Sequence, residues 1–151
     1  MKTTLVIGYV LCASARPELH VAVTKFSTPS ELANLRWGAI SHLHQAINPL
    51  IVSQTGEVAP SQPSTWPQPS LVEAAHDNGA AILVPLHLST KSAAEIFFEH
   101  GASTIDAAAR QAVAKVRNGG YDGLSIDIEG LKPESKQGFE AFVTACASAL
   151  L

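Results

Sequence analysis

Apolar and polar positions alternate along residues 121–130, YDGLSIDIEG, where Leu124, Ile126 and Ile128 interleave with Ser125, Asp127 and Glu129. Side chains alternate across a strand, so the pattern predicts a β-strand with aliphatic groups on one face and the three polar groups on the other. Leu5 to Val10, Ala39 to Ile47 and Ala81 to His87 read as further apolar strands. Helix punctuation lies between them. Thr28-Pro29-Ser30-Glu31 combines a capping box with Pro at the first helical position and opens a short helix to about Arg36. Ser70-Leu71-Val72-Glu73 is a second capping box, whose helix stops at Asn78-Gly79. Ser92-Ala93-Ala94-Glu95 opens a helix that breaks near Gly101, and another runs from about Ser103 to Asn118-Gly119-Gly120. A last helix carries Phe139, Phe142, Val143, Cys146 and Leu150 at helical spacing.

About four strand–helix units in a row predict an α/β fold with parallel strands covered by helices. A (β/α)8 TIM barrel takes about 250 residues, so residues 1–151, read as one domain, match the N-terminal half of such a barrel. Its first and fourth strands would be open edges that favour self-association. The ending ASALL falls inside a continuing helical pattern, so a truncated barrel is expected. A self-associating half barrel and an open α/β sheet are the alternatives.

Composition narrows the function classes. Hydrophobic residues make up 46% and charged residues 15%, the balance of a core-rich globule. The net charge of −3 comes without a Lys/Arg cluster, so neither nucleic acid nor an anionic membrane is an expected partner. Cys12 and Cys146 lack metal-type spacing and read as small buried hydrophobes. Residues 1–15 suit two readings. Lys2, the apolar run to Cys12 and Ala13-Ser14-Ala15 imitate a signal peptide, which would send the chain to a secreted or lysosomal compartment. The same residues suit a buried first strand of a cytoplasmic protein, and the shortness of the run favours the strand.

The chemistry concentrates in the alternating strand. Asp127 and Glu129 have Cα atoms about 6–7 Å apart at a strand's rise. In so apolar a strand, their carboxylates must be neutralised, hydrogen-bonded or set at a cavity. At an effective dielectric of about 20 they repel by about 2–3 kcal/mol, which makes one of them hold its proton more tightly. Asp122, just after Gly119-Gly120, reads as a turn residue. Ile47 to Pro69 reads as a long connection, with a turn at Thr55-Gly56 and then an extended, semi-rigid segment in which Pro60, Pro63, Pro67 and Pro69 surround Trp66. His42-x-His44 sets two imidazoles on one strand face, and His87 and Asp127 could complete a metal site of an amidohydrolase-like barrel. Structural or solvent-facing histidines are the favoured reading, and no metal or cofactor is expected. Neither a phosphate-binding Gly-rich loop nor a nucleophilic Ser elbow occurs.

Asp122-Gly123-x-x-x-Asp127-x-Glu129 resembles the DGxDxDxE signature of family 18 glycoside hydrolases, the chitinase family. Ser125 stands where the family has an inner Asp, and Ile128 stands where Trp is common. Both departures, and AHDNGAAILVPLHLS without a Ser-x-Gly-Gly, are similar to the di-N-acetylchitobiase branch. VIGYV and ISHLHQAI extend the resemblance more weakly. It implies hydrolysis of β-1,4-linked N-acetylglucosamine by substrate-assisted, retaining catalysis, with an N-acetylglucosamine oligosaccharide as partner. Glu129 would be the general acid, and Asp127 would orient the substrate's acetamido group and stabilise the developing positive charge. Asp122 and Ser125 would support the motif, Tyr9 would lie near the sugar, and Trp66 would either stack on it or pin its loop to the core. With Ser125 in place of an acid, a weaker effect on Glu129 and a shifted pH optimum are expected. Loss of the inner Asp and of half the barrel leaves a second reading, a chitin-oligosaccharide-binding, lectin-like half barrel.

Overall fold

The computed structural model describes residues 19–23, 32–128 and 131–151. Strands β1 (His20–Val23), β2 (His42–Gln45), β5 (Ala81–Leu88) and β6 (Gly123–Ile126) run parallel as successive neighbours. Leu83 pairs with both His44 and Gly123, so β2 and β6 flank β5 on opposite sides. Strand β3 (Leu50–Val52) pairs parallel with the far half of β5, and β4 (Val58–Pro60) pairs antiparallel with β3. Among the described residues, the four expected helical stretches form α1 (Pro69–Asp77), α2 (Lys91–Glu99), α3 (Ala102–Asn118) and α4 (Lys136–Leu150). The chain is therefore a mixed α/β fold with parallel strands.

The core forms where the helices cover one face of the sheet. Leu43, Ile82, Val84 and Leu86 of the strands are fully buried there, with Phe97 of α2, Ala108 and Ala112 of α3, and Phe142 of α4. Phe97 meets Phe142 edge to face at 5.5 Å, and Phe98 meets Phe139 at 5.9 Å, so aromatic pairs join α2 to α4. Cys146 is buried as expected, and desolvation pushes its thiol up to about 11. No helix of the described residues is long and apolar enough to cross a membrane.

Several expectations are corrected. Residues 47–69 are not a connection without strands: about the turn expected at Thr55-Gly56, where Gly56 has φ +81°, they form the β3–β4 hairpin. Asn48, buried and at φ 53°, organises the segment after the hairpin. Its Oδ1 accepts from Gln62 N–H at 2.7 Å and Ser61 Oγ at 3.1 Å, and its Nδ2 donates to Thr65. Gln111 of α3 clamps the hairpin, accepting from Val58 N–H and donating to the Gly56 carbonyl. Helix α1 begins at Pro69 with Gln68 at its cap, so Pro at the first helical position prevails over the Ser70 capping box. Thr90, not Ser92, caps α2 by accepting from Ala93 N–H at 3.0 Å. Beside β2 lies His20–Val23, a strand that the apolar pattern does not predict; the expected strand at Leu5–Val10 and the capping box at 28–31 lie outside the described residues.

Candidate active site

The sheet has two chemically different faces. Leu43 and Gln45 of β2 point to the helix layer, so His42 and His44 point to the other face. There His20 stacks on His42, with ring centroids 4.3 Å apart and planes 7° from parallel. His20 Nδ1 lies 2.8 Å from His44 Nε2, and His44 Nδ1 lies 3.0 Å from Ser125 Oγ. Burial, reinforced by His20 and His42, holds His44 below the usual histidine range. The three imidazoles are thus engaged with one another. Parallel stacked rings direct their in-plane lone pairs side by side rather than at one point. Among the described residues no group of three His, Cys, Asp or Glu is arranged to hold a metal, so the amidohydrolase-like reading has no geometric support.

At the carboxyl end of this face, β6 stops at Ile126 and Asp127 stands just beyond it, its N–H donating to the Leu86 carbonyl at 3.1 Å. Asp127 Oδ2 lies 3.7 Å from His87 Nε2. Both line a cleft of about 230 Å³ with Thr90, Lys91, Ala94 and Ile128. Ligand sites of α/β folds lie beyond the carboxyl ends of parallel strands, and this cleft has that position. The expectation of a buried carboxylate is corrected for Asp127: its side chain is 61% exposed, because the strand ends before it and leaves it on the rim.

No family model and no curated protein matches the chain. Solved structures do. A chitinase from Bacteroides thetaiotaomicron superposes with a TM-score of 0.64 at 18% identity, over 87% of this chain and 40% of that one. Two crystal structures of a chitinase from Rhizomucor miehei give TM-scores of 0.63 and 0.62 at 18% identity, over 87% of this chain and 43% and 37% of theirs. The fold is chitinase-like. The chain spans less than half the length of each of these structures.

Asp122 and Trp66 do not line the cleft. Asp122 lies at the amino end of β6, where Oδ2 accepts from Ile82 N–H at 2.7 Å and lies 2.9 Å from His76 Nε2. That ties β6, β5 and the end of α1 together, away from the cleft. Trp66 stacks on Tyr121 at 5.1 Å, and the Tyr121 hydroxyl donates to Gln45 Oε1 at 2.5 Å and accepts from Gln68 N–H at 3.2 Å. Because Gln45 points to the helix layer, this group sits on the face opposite His44. Trp66 is therefore packed against the core, in line with the loop-pinning reading rather than with stacking on a sugar. Glu129 and Tyr9 lie outside the described residues. The residues that the motif did not reveal are His87 as the partner of Asp127, and His20 and His44 as the partners behind Ser125. The two-residue spacing of His42 and His44 was the available signal.

Proposed function

We propose that this chain is part of the catalytic domain of a chitinase-type glycoside hydrolase of family 18, acting on β-1,4-linked N-acetylglucosamine. The observation that carries the reading is the Asp127 side chain lining the cleft beyond the carboxyl ends of β5 and β6. Chitinase-like topology around that strand supports it. In this reading β1, β2, β5 and β6 correspond to successive strands of a (β/α)8 barrel, and residues 1–151 form a partial domain with open strand edges suited to self-association.

The chemistry proposed for the site is substrate-assisted. Glu129 protonates the leaving glycosidic oxygen while the substrate's 2-acetamido oxygen attacks the anomeric carbon. Asp127 holds the acetamido N–H and offsets the charge that develops on the resulting ring. Water then opens that ring with retention at the anomeric carbon, and Glu129 takes its proton. Lys91 and Thr90, which line the cleft with Asp127, donate to and accept from sugar hydroxyls in this reading.

A second reading rests on the size of the cleft. At about 230 Å³ it is below the roughly 300–1,000 Å³ of a full ligand pocket, which suits holding one sugar unit without turning over a chain. NMR of chitotriose mixed with the protein separates the readings. Release of a β-anomeric product that stops in Glu129→Gln supports the hydrolase. Chemical-shift changes around the cleft without product support a lectin-like module, and no change with either would contradict both.

A further inference from the structure

Resting on the proposed role of Asp127, we infer that His44 is a positioning residue for that carboxylate, acting through the hydroxyl of Ser125. His44 and Ser125 belong to strands that are not neighbours, since β5 lies between them. Their 3.0 Å approach therefore spans a strand across the face turned away from the helices. Gly123, level with His44 through Leu83, has no side chain to block that path, and an added Cβ would already stand 3.0 Å from Leu83 Cδ2.

The imidazole of His44 is held at both nitrogens, by Ser125 at Nδ1 and by His20 at Nε2. Kept neutral by burial and by its histidine neighbours, it donates at one nitrogen and accepts at the other. With the proton on Nδ1, His44 donates to Ser125 Oγ and leaves the hydroxyl proton free to turn towards Asp127. With the proton on Nε2, the Ser125 hydroxyl turns to His44 and away from Asp127. Protonation of His44 imposes the first arrangement. Asp127 is two residues along the same face, about 6–7 Å by Cα, a gap that a hydroxyl and a carboxylate close directly or across one water.

The groups facing His44 are His20 from β1, His42 from its own strand and Ser125 from β6, with Asp127 just beyond the end of β6 on the rim. From β5 the same face presents Leu83 and Pro85, with His87 at the rim. Where an acid would act on Asp127 by charge, this chain uses a hydroxyl whose direction a histidine sets.

Linkage makes the inference testable without turnover, because an effect of His44 on Asp127 must be matched by an equal effect of Asp127 on His44. The His44 titration is followed by NMR of 15N-histidine-labelled protein in wild type, Asp127→Asn, Ser125→Ala and the double variant. All four proteins keep His44, so none has to tolerate its loss. Expected is a fall of the His44 midpoint by a few tenths of a pH unit in Asp127→Asn, and less than half that fall when Ser125 is Ala. The same fall in both backgrounds, or none in either, would overturn the inference. The outcome is independent of the proposed hydrolase, which fails separately if wild type and Glu129→Gln release equal product.

Discussion

Asp122 Oδ2 takes the backbone N–H of Ile82 at 2.7 Å, and so fastens the start of β6 to the start of β5. Ile82 itself is fully buried. Asp122→Ala leaves its N–H without this partner, at an expected cost of about 1–3 kcal/mol. Asp122→Asn keeps an acceptor oxygen and loses less. Urea unfolding measures both as a lowered midpoint at unchanged slope, and equal losses would mean that charge, not the acceptor, matters there.

Gly138 is fixed by proximity rather than by backbone conformation. A Cβ there would run into the Phe98 carbonyl oxygen and stand 2.8 Å from Phe98 Cβ. Helix propensity alone favours Gly138→Ala by about 1 kcal/mol, whereas overpacking costs about 1–3 kcal/mol. The contact is with backbone, which yields poorly, so net destabilisation is expected. A raised Tm for Gly138→Ala would contradict the close packing of α4 on α2.

His44 gives the fold an acid limit. Its midpoint is lowered in the folded chain, so the unfolded chain takes up a proton first as pH falls. The stabilisation is therefore present above about pH 6.5 and is lost as pH drops through the lower, folded midpoint. Urea midpoints at pH 7.5 and pH 5 are expected to differ less in His44→Gln than in wild type. An identical pH dependence in the two proteins would remove His44 as a source.

Cys146 acts at the other end of the scale. Burial raises its thiol from 9.0 to about 11, so the unfolded chain loses this proton first as pH rises. Its stabilisation is complete below about pH 9 and lost by about pH 11. Tyr121, raised chiefly by burial, adds a loss of the same sign above its ordinary range. Cys146→Ala is expected to flatten the alkaline fall in stability, and the native thiol is expected to react slowly with a disulfide reagent at pH 8. Rapid labelling of Cys146 in a folded Cys12→Ser variant would contradict the burial.

The longer elements were legible because many residues vote for them. Helix α3, with Ile105, Ala108, Ala109, Ala112, Val113 and Val116 buried along one stripe, lies within a residue of its expected bounds. So does β5. Short strands were not. His20–Val23 has four residues and begins with a polar imidazole, and the three-residue β3 and β4 hide among prolines. They form because β2, β5 and Gln111 of α3 supply hydrogen-bond partners from far along the chain. At the site, alternation put Ser125 on the polar face, but the burial of Asp127 did not follow, since nothing in the pattern marks a strand end at Ile126. Trp66 illustrates the same limit: its partner Tyr121 lies 55 positions on, and only the fold reveals which face they share.

The most direct measurement is release of chromophore from a chitobiose glycoside by wild type, Asp127→Asn and Glu129→Gln. General-acid catalysis contributes about 10²–10⁴-fold, so wild type is expected to exceed Glu129→Gln by at least about a hundredfold, with Asp127→Asn also strongly impaired. Equal background release by all three proteins would contradict the assignment of Asp127 and Glu129 as a glycosidase pair.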